Sequence, residues 1–356
     1  MSFKILAINP GSTSTKIAVY EDLNEVKTQN LSHSSAELEQ FPTIIDQFEY
    51  RLEKILDFLA SQHIKPEDFA AVVGRGGLLK PVVSGTYAVN APMLDDLKHS
   101  RYGAHASNLG AILASRIAEL ADCPAYIVDP VVVDELDPVA RITGRPELEK
   151  KSIFHALNQK AVAKRFAKTL NKPYEELTLI VAHLGGGISV GCHKQGRVVE
   201  VNNALDGEGP FSPERAGTVQ AGQFATEILS SGLSRESIAK MLAGRGGLVA
   251  HLGTNDAREV EKRIGEGDKE AELVYQAMIY QVARYIAAAA VPVSGKVDYI
   301  VLTGGIAYSK LLTDKLKEYV HFIAPVQVIP GENELQALVE GAYRVLVNEE
   351  SSKEYK

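Results

Sequence analysis

The chain predicts an α/β fold built twice, as two lobes of mixed β-sheet with flanking helices and a central cleft. Three observations lead there. An apolar strand, a turn of small residues and a second strand occur at residues 4–20 and again at residues 177–192. Continuous apolar runs of strand length alternate with helical stretches, the pattern of strands covered on both faces. The length of 356 residues suits two domains better than one.

In chain order, residues 4–8 and 16–20 are strands joined by the turn 9–15, and the turn 21–24 leads to a third. Residues 46–61 place Phe48, Leu52, Ile55, Leu56 and Leu59 at helical spacing. Strand 69–73 follows, then helix 101–122, slightly weakened by Gly110, then strand 125–130. The hinge is expected near Lys150, before a helix over 155–170 that is basic on one face. Strands 177–182 and 188–192, a turn at 194–197 and a third strand repeat the opening pattern. Helix 274–290, strands 298–302 and 325–330 and helix 334–347 close the second copy, and the charged tail 349–356 is expected to fray. Residues 1–150, completed by the C-terminal helix 335–356, form one lobe, and residues 151–334 form the other. In each copy the first three strands pair antiparallel and the later ones arrive by crossover.

Composition excludes several classes. Apolar residues at 45% and charged residues at 23% are ordinary for a globular protein. A net charge of −7 and a pI near 5.8 argue against nucleic-acid binding. Cys123 and Cys192, the only cysteines, lie in or beside apolar strands and read as inert core thiols in a reducing cytoplasm. The N-terminus enters a strand at once, so no signal peptide is expected. The apolar stretch 286–293 is too short and alanine-rich to span a bilayer and reads as the end of a buried helix.

The turns carry the chemistry. In residues 9–16, Asn-Pro-Gly-Ser-Thr-Ser-Thr-Lys, Gly11 permits close approach to an anion, Ser12 to Thr15 supply hydroxyl donors and Lys16 adds a charge. The common phosphate loop is ruled out, because Lys16 opens a strand and not a helix. Such a turn is as often simply a turn. Three consecutive glycines, Gly185, Gly186 and Gly187, suggest close backbone approach to a ligand, with a β-bulge as the alternative. Their matching place in the repeat favours phosphate. Gly304 and Gly305 put a flat platform suited to a nucleotide between a strand and a helix.

These three glycine-rich segments, in their order and spacing, resemble the acetate kinase family within the sugar kinase, Hsp70 and actin superfamily. Residues 72–81, 103–108, 127–135, 152–158 and 205–215 resemble the butyrate kinases of that family, and the likeness covers essentially the whole chain. It implies a duplicated actin-like ATPase fold. The implied reaction is reversible, magnesium-assisted phosphorylation of a carboxylate by ATP, giving an acyl phosphate by direct in-line transfer. That chemistry needs cations and donors more than a nucleophile, since the carboxylate is already one.

The resemblance also implies roles. Arg75 and Arg215, one from each half, match the family's two arginines, whose forks suit carboxylate and phosphate oxygens. An ordinary salt bridge is the competing role. His155 matches the histidine that stabilises the phosphoryl in flight, with His105 and His183 lining the same cleft. A phosphorylated histidine is the other mechanism, and a helix-start donor the plain alternative for His155. Asp129 is implied to orient an arginine or to hold Mg2+ through water. Asn9 and Glu334 are implied to position Mg2+, with helix capping as the alternative for Glu334. Ser12, Ser14, Lys16 and Gly185 to Gly187 are implied to contact the phosphates of ATP or ADP, and Gly304, Gly305 and Ile306 the adenosine. Acetate kinases usually carry an asparagine where this chain has Gly186, so one side-chain hydrogen bond must be replaced.

The expected partners are nucleotide and a small carboxylate, butyrate or a related short or branched acid, with no nucleic acid and no membrane, in a homodimer or higher homo-oligomer. Acetate or propionate kinase activity, an Hsp70-like or actin-like ATPase, and a non-catalytic nucleotide-binding scaffold are the competing readings. No peptide-binding domain is expected after the ATPase-like region, and the two arginines suit an acid substrate.

Overall fold

The computed structural model describes residues 2–356. It divides into two compact units, Met1–Val133 with Asn333–Lys356, and Asp134–Glu332. Lys150, where the sequence places the hinge, lies inside the second unit and pairs with Glu200 and Glu208.

In the first unit, β1 (Lys4–Pro10), β2 (Ser14–Glu21) and β3 (Asn24–Ser32) form an antiparallel meander. β4 (Ala71–Arg75) adds in parallel to β1, and β6 (Ala125–Val128) in parallel to β4, while β5 (Thr86–Ala88) pairs antiparallel with β6. The interior strands β1 and β4 are buried along most of their length, whereas the edge strand β3 is almost wholly exposed and carries Glu25 and Lys27. Charges on an exposed edge discourage pairing with another chain. The helix Phe48–Ser61 buries Leu52, Ile55 and Leu59 against this sheet.

The second unit repeats the plan. β7 (Thr178–Leu184), β8 (Ile188–Lys194) and β9 (Arg197–Val201) form the meander, and β10 (Tyr299–Thr303) and β11 (Val326–Val328) add in parallel. The sheet order is therefore β11-β10-β7-β8-β9, against β6-β4-β1-β2-β3 within the first sheet. Each strand has the counterpart expected from sequence. The helix Lys269–Ala288 runs through this unit's core, burying Tyr275, Met278, Ile279, Val282 and Ile286.

Four expectations are corrected. The helix expected over 101–122 begins only at Asn108, because Gly103 has φ +123 and the preceding residues form turns. Within it Gly110 is a requirement and not a weakness. A Cβ there would lie 2.2 Å from the Arg75 carbonyl, so only glycine lets the helix seat on β4. Cys192 is fully buried but Cys123 is only partly so; burial pushes their thiols up to about 12 and about 11.

The fourth correction is the tail, which docks instead of fraying. β12 (Lys353–Glu354) pairs in parallel with β5, and Tyr355 is 3% exposed. The Tyr355 hydroxyl donates to Asp96 Oδ2 (2.7 Å) and accepts from the Lys80 amide (3.0 Å), while Glu350 Oε1 accepts from the Thr86 amide. Tyr355→Ala is expected to cost about 3 kcal/mol of stability. A denaturant midpoint unchanged from the parent would contradict this docking.

Candidate active site

In the first unit the strand ends converge on one polar cluster. Asn9 is the next-to-last residue of β1 and Arg75 the last of β4, and the helix Glu334–Leu346 starts beside them. Arg75 Nη1 donates to Glu334 Oε2 (2.9 Å) and to Asn9 Oδ1 (3.3 Å), and Asn9 Nδ2 donates to the same Glu334 oxygen (2.6 Å). Glu334 thus spends its side chain on these two residues, and Asn333, the helix cap, makes no side-chain cap bond. Asn9 Oδ1 and the Glu334 carboxylate are hard oxygens. They suit Mg2+, which takes few protein ligands and keeps waters and phosphate oxygens.

The turn between β1 and β2 leaves Ser12 and Thr13 exposed, with Lys16 exposed on β2 opposite Asn9. Beneath it lies a residue that sequence reasoning missed. Arg51 is fully buried, and its guanidinium donates to the carbonyls of Gly11 (2.9 Å), Ser12 (3.2 Å) and Ser14 (3.2 Å) and to Thr15 Oγ1 (3.0 Å). Gln47 Oε1 takes two further bonds from it. Thr15 Oγ1 also meets His33 Nε2 at 2.9 Å; burial, and next the Arg51 charge, lower the His33 pKa to about 4. The imidazole is therefore neutral, and the turn's carbonyls are drawn inward onto a fixed cation. The available signal was a charged residue on the apolar face of helix Phe48–Ser61, between Phe48, Leu52 and Ile55.

Asp129 directly follows β6 at φ +39, a strained conformation for a residue with a side chain. It is 3% exposed, and its Oδ1 accepts from Ser84 Oγ (2.6 Å) and the Gly85 amide (2.8 Å). Those bonds fix the loop before β5; they do not go to an arginine. His105 is exposed, and its Nδ1 accepts from the Ser107 amide (3.2 Å).

In the second unit the glycine turn is a direct link from Leu184 to Ile188 with no register shift, so it is not a bulge. Side chains crowd two of its glycines, while Gly186 has room for a Cβ. A Cβ on Gly187 would lie 2.1 Å from Arg215 Nη1, and one on Gly185 would lie 2.9 Å from His183 Nε2. Arg215 therefore lies close against the turn, its Nη1 donating to the Ala204 carbonyl (2.6 Å), and burial lowers its pKa without discharging it. Gly186 is exposed, and its carbonyl accepts from Ser212 Oγ (2.6 Å) and the Glu214 amide (3.3 Å).

His155 and His183 stack at 3.8 Å between centroids and 9° between planes. His155 precedes the helix Ala156–Thr169 but makes no side-chain cap bond; its Nδ1 meets Ser189 Oγ at 2.8 Å. His183 Nδ1 meets Asn158 Oδ1 at 2.9 Å, and its Nε2 is 3.6 Å from Glu332 Oε1. The expected basic face of this helix is partly internal. Lys160 is 1% exposed and pairs with Glu135 at 2.6 Å.

Gly304 has φ +92, and a Cβ there would lie 2.3 Å from the Leu184 carbonyl. It turns the chain from β10 into a short 3-10 helix, Gly305–Tyr308. Gly305, Ile306 and Tyr308 line a cavity of about 600 Å³ with Asn255, Arg258 and Glu261. Pockets of several hundred Å³ suit small organic ligands.

Comparison with known proteins agrees with this geometry. The family model described as the Acetokinase family matches residues 148–345. Butyrate kinase 2 of Clostridium acetobutylicum is 55% identical over 356 residues, covering 100% of both chains. Among solved structures, acetate kinase of Porphyromonas gingivalis has a TM-score of 0.77 at 20% identity, covering 96% of this chain and 99% of that one. A propionate kinase of Francisella tularensis subsp. tularensis SCHU S4 has a TM-score of 0.74 at 21% identity, covering 96% and 99%. The fold is thus the duplicated actin-like one of these kinases, and the chain belongs to the acetokinase family.

Proposed function

We propose that this enzyme transfers the terminal phosphoryl group of ATP to a short-chain carboxylate, butyrate being the preferred acid, and that the acyl phosphate can return its phosphoryl to ADP. The observation that carries this reading is the full-length 55% identity to Butyrate kinase 2. Arg75 and Arg215 supply the fixed positive charge that a migrating phosphoryl group requires. Ser12, Ser14 and Lys16, with the turn Gly185 to Gly187, bind phosphate oxygens. His155 donates to the phosphoryl, with His105 and His183 as further polar contacts. Asp129 holds the loop at Ser84 and Gly85. Gly304, Gly305 and Ile306 carry the adenosine, in keeping with the cavity beside them. Mg2+, when bound, neutralises phosphate charge and polarises the transferring group, with Asn9 and Glu334 holding its water shell.

A homo-oligomer is part of this reading. The helices Ala221–Ser231 and Arg235–Leu242 bury no residue within the chain, and Leu229 is 86% exposed. The two unpaired cysteines suit a reducing cytoplasm.

Each methylene entering an apolar pocket contributes about 0.8 kcal/mol, so the two that separate butyrate from acetate give about tenfold in kcat/KM. The test measures ADP formation with acetate, propionate, butyrate, valerate and isobutyrate, trapping acyl phosphate as hydroxamate. Turnover should require the acid and favour butyrate. ATP hydrolysis indifferent to any acid would instead point to a plain ATPase.

A further inference from the structure

We infer that a buried relay, Tyr174–His193–Gln159–Ser189, sets the tautomer of His155, placing its proton on Nε2 so that it acts as a hydrogen-bond donor and not as a nucleophile at that atom. The role at the phosphoryl group rests on the function proposed above; the tautomer rests on the geometry alone.

The assignment starts where no choice exists. Gln159 Nε2 lies 3.0 Å from the Ser189 carbonyl, which can only accept, so this atom is the amide nitrogen. Gln159 Oε1 therefore faces His193 and accepts from its Nε2–H (3.0 Å). His193 is fully buried, and burial and then the Lys160 ammonium hold its pKa well below the ordinary histidine value. It is neutral, so its Nδ1 is bare and accepts from the Tyr174 hydroxyl (2.7 Å).

The other end follows by counting. Ser189 Oγ accepts from Gln159 Nε2 (2.9 Å) and from the His155 backbone amide (3.4 Å), which uses both lone pairs. Its single hydrogen goes to His155 Nδ1 at 2.8 Å. Nδ1 is thus an acceptor, which leaves Nε2 as the ring's N–H. The stacked His183 is fixed in the opposite sense. Asn158 Nδ2 donates to the Glu332 carbonyl (2.8 Å), so its Oδ1 accepts from His183 Nδ1–H (2.9 Å).

The packing shows that this relay has room made for it. Ser189, Gly191 and His193 are alternate residues on one face of β8, all buried, where the opposite face carries Ile188, Val190 and Cys192. A Cβ on Gly191 would lie 2.7 Å from Gln159 Oε1. The glycine admits the glutamine that joins the two histidines. Buried polar chains of this kind persist when every member is satisfied. Ser189 and Gln159 are thereby positioning residues, acting through His155.

Nitrogen NMR of the full chain labelled in its histidine rings tests this, with His155 assigned by its loss in His155→Gln. The expected wild-type signature is a protonated Nε2 and a bare Nδ1. In Ser189→Ala that signature should become a mixture of tautomers, and kcat should fall about tenfold with KM for ATP little changed, the size of one lost hydrogen bond. Ser189→Thr, which keeps the hydroxyl, should retain both. A wild-type His155 protonated on Nδ1 overturns the inference, even if no variant folds. So does a Ser189→Ala protein with the parent tautomer or parent kcat. Absence of acid-dependent turnover in the wild type would defeat the kinase reading while leaving the NMR result to judge the tautomer.

Discussion

Arg215→Ala is expected to lower kcat by about 10³-fold while the protein remains folded, and Arg75→Ala to do the same. The two arginines are held by different devices. Arg215 is mostly buried against the glycine turn, anchored on the Ala204 carbonyl through Nη1, in space that only Gly187 leaves open. Arg75 is oriented by Glu334 and Asn9 at the ends of β4 and β1. A guanidinium fixed before substrate arrives costs no reorganisation when charge develops, so its removal shows in turnover more than in binding. Arg→Lys at either place should recover little, since an ammonium cannot reproduce the planar fork. Steady-state kinetics beside circular dichroism checks both variants. Near-parent kcat in either would remove that residue from the reaction.

Arg51→Ala is expected to destabilise the first unit by about 3 kcal/mol and to raise KM for ATP. The loss strands the inward-facing carbonyls of Gly11, Ser12 and Ser14, which meet the guanidinium at 2.9–3.2 Å. It also leaves Gln47 without its partner. With its carbonyls released, the turn carrying Ser12 and Ser14 no longer holds one conformation, so phosphate binding weakens before chemistry is reached. Arg51→Lys should restore part of the stability but not the turn, because one ammonium cannot serve this set of acceptors. Hydrogen exchange over residues 11–15, read with denaturant unfolding, gives the two effects separately. Parent-like exchange and parent-like KM together would show that the arginine is only core filling.

The repeat was legible because it rests on periodicity. β1, β4, β7 and β10 are buried on both faces and so read as unbroken apolar runs, and the hairpin turns announce themselves by small residues. The docked tail was not legible. Its burial comes from one residue, Tyr355, inside a run of charges that taken alone predicts a solvated end. Gly110 was misread for a related reason. Helix propensity counts the glycine as a cost, and only the approach to Arg75 shows why it is needed. The polar interior was the least visible part. Arg51 and Gln159 each sit on the buried face of a helix, and their partners lie far off in sequence, on the 11–15 turn and on β8. A polar residue on an apolar face signals that something is satisfied there, but not by what.

In direct transfer, fixed cations and donors act on the phosphoryl group without a covalent enzyme intermediate. The stereochemical course at phosphorus tests this, using ATP whose terminal phosphoryl is chiral by isotopic substitution and reading the acyl phosphate formed from butyrate. A single in-line displacement inverts the configuration, and inversion is the expected result. Net retention would require two displacements, with a histidine such as His155 or His183 carrying the phosphoryl between them, and would contradict the account.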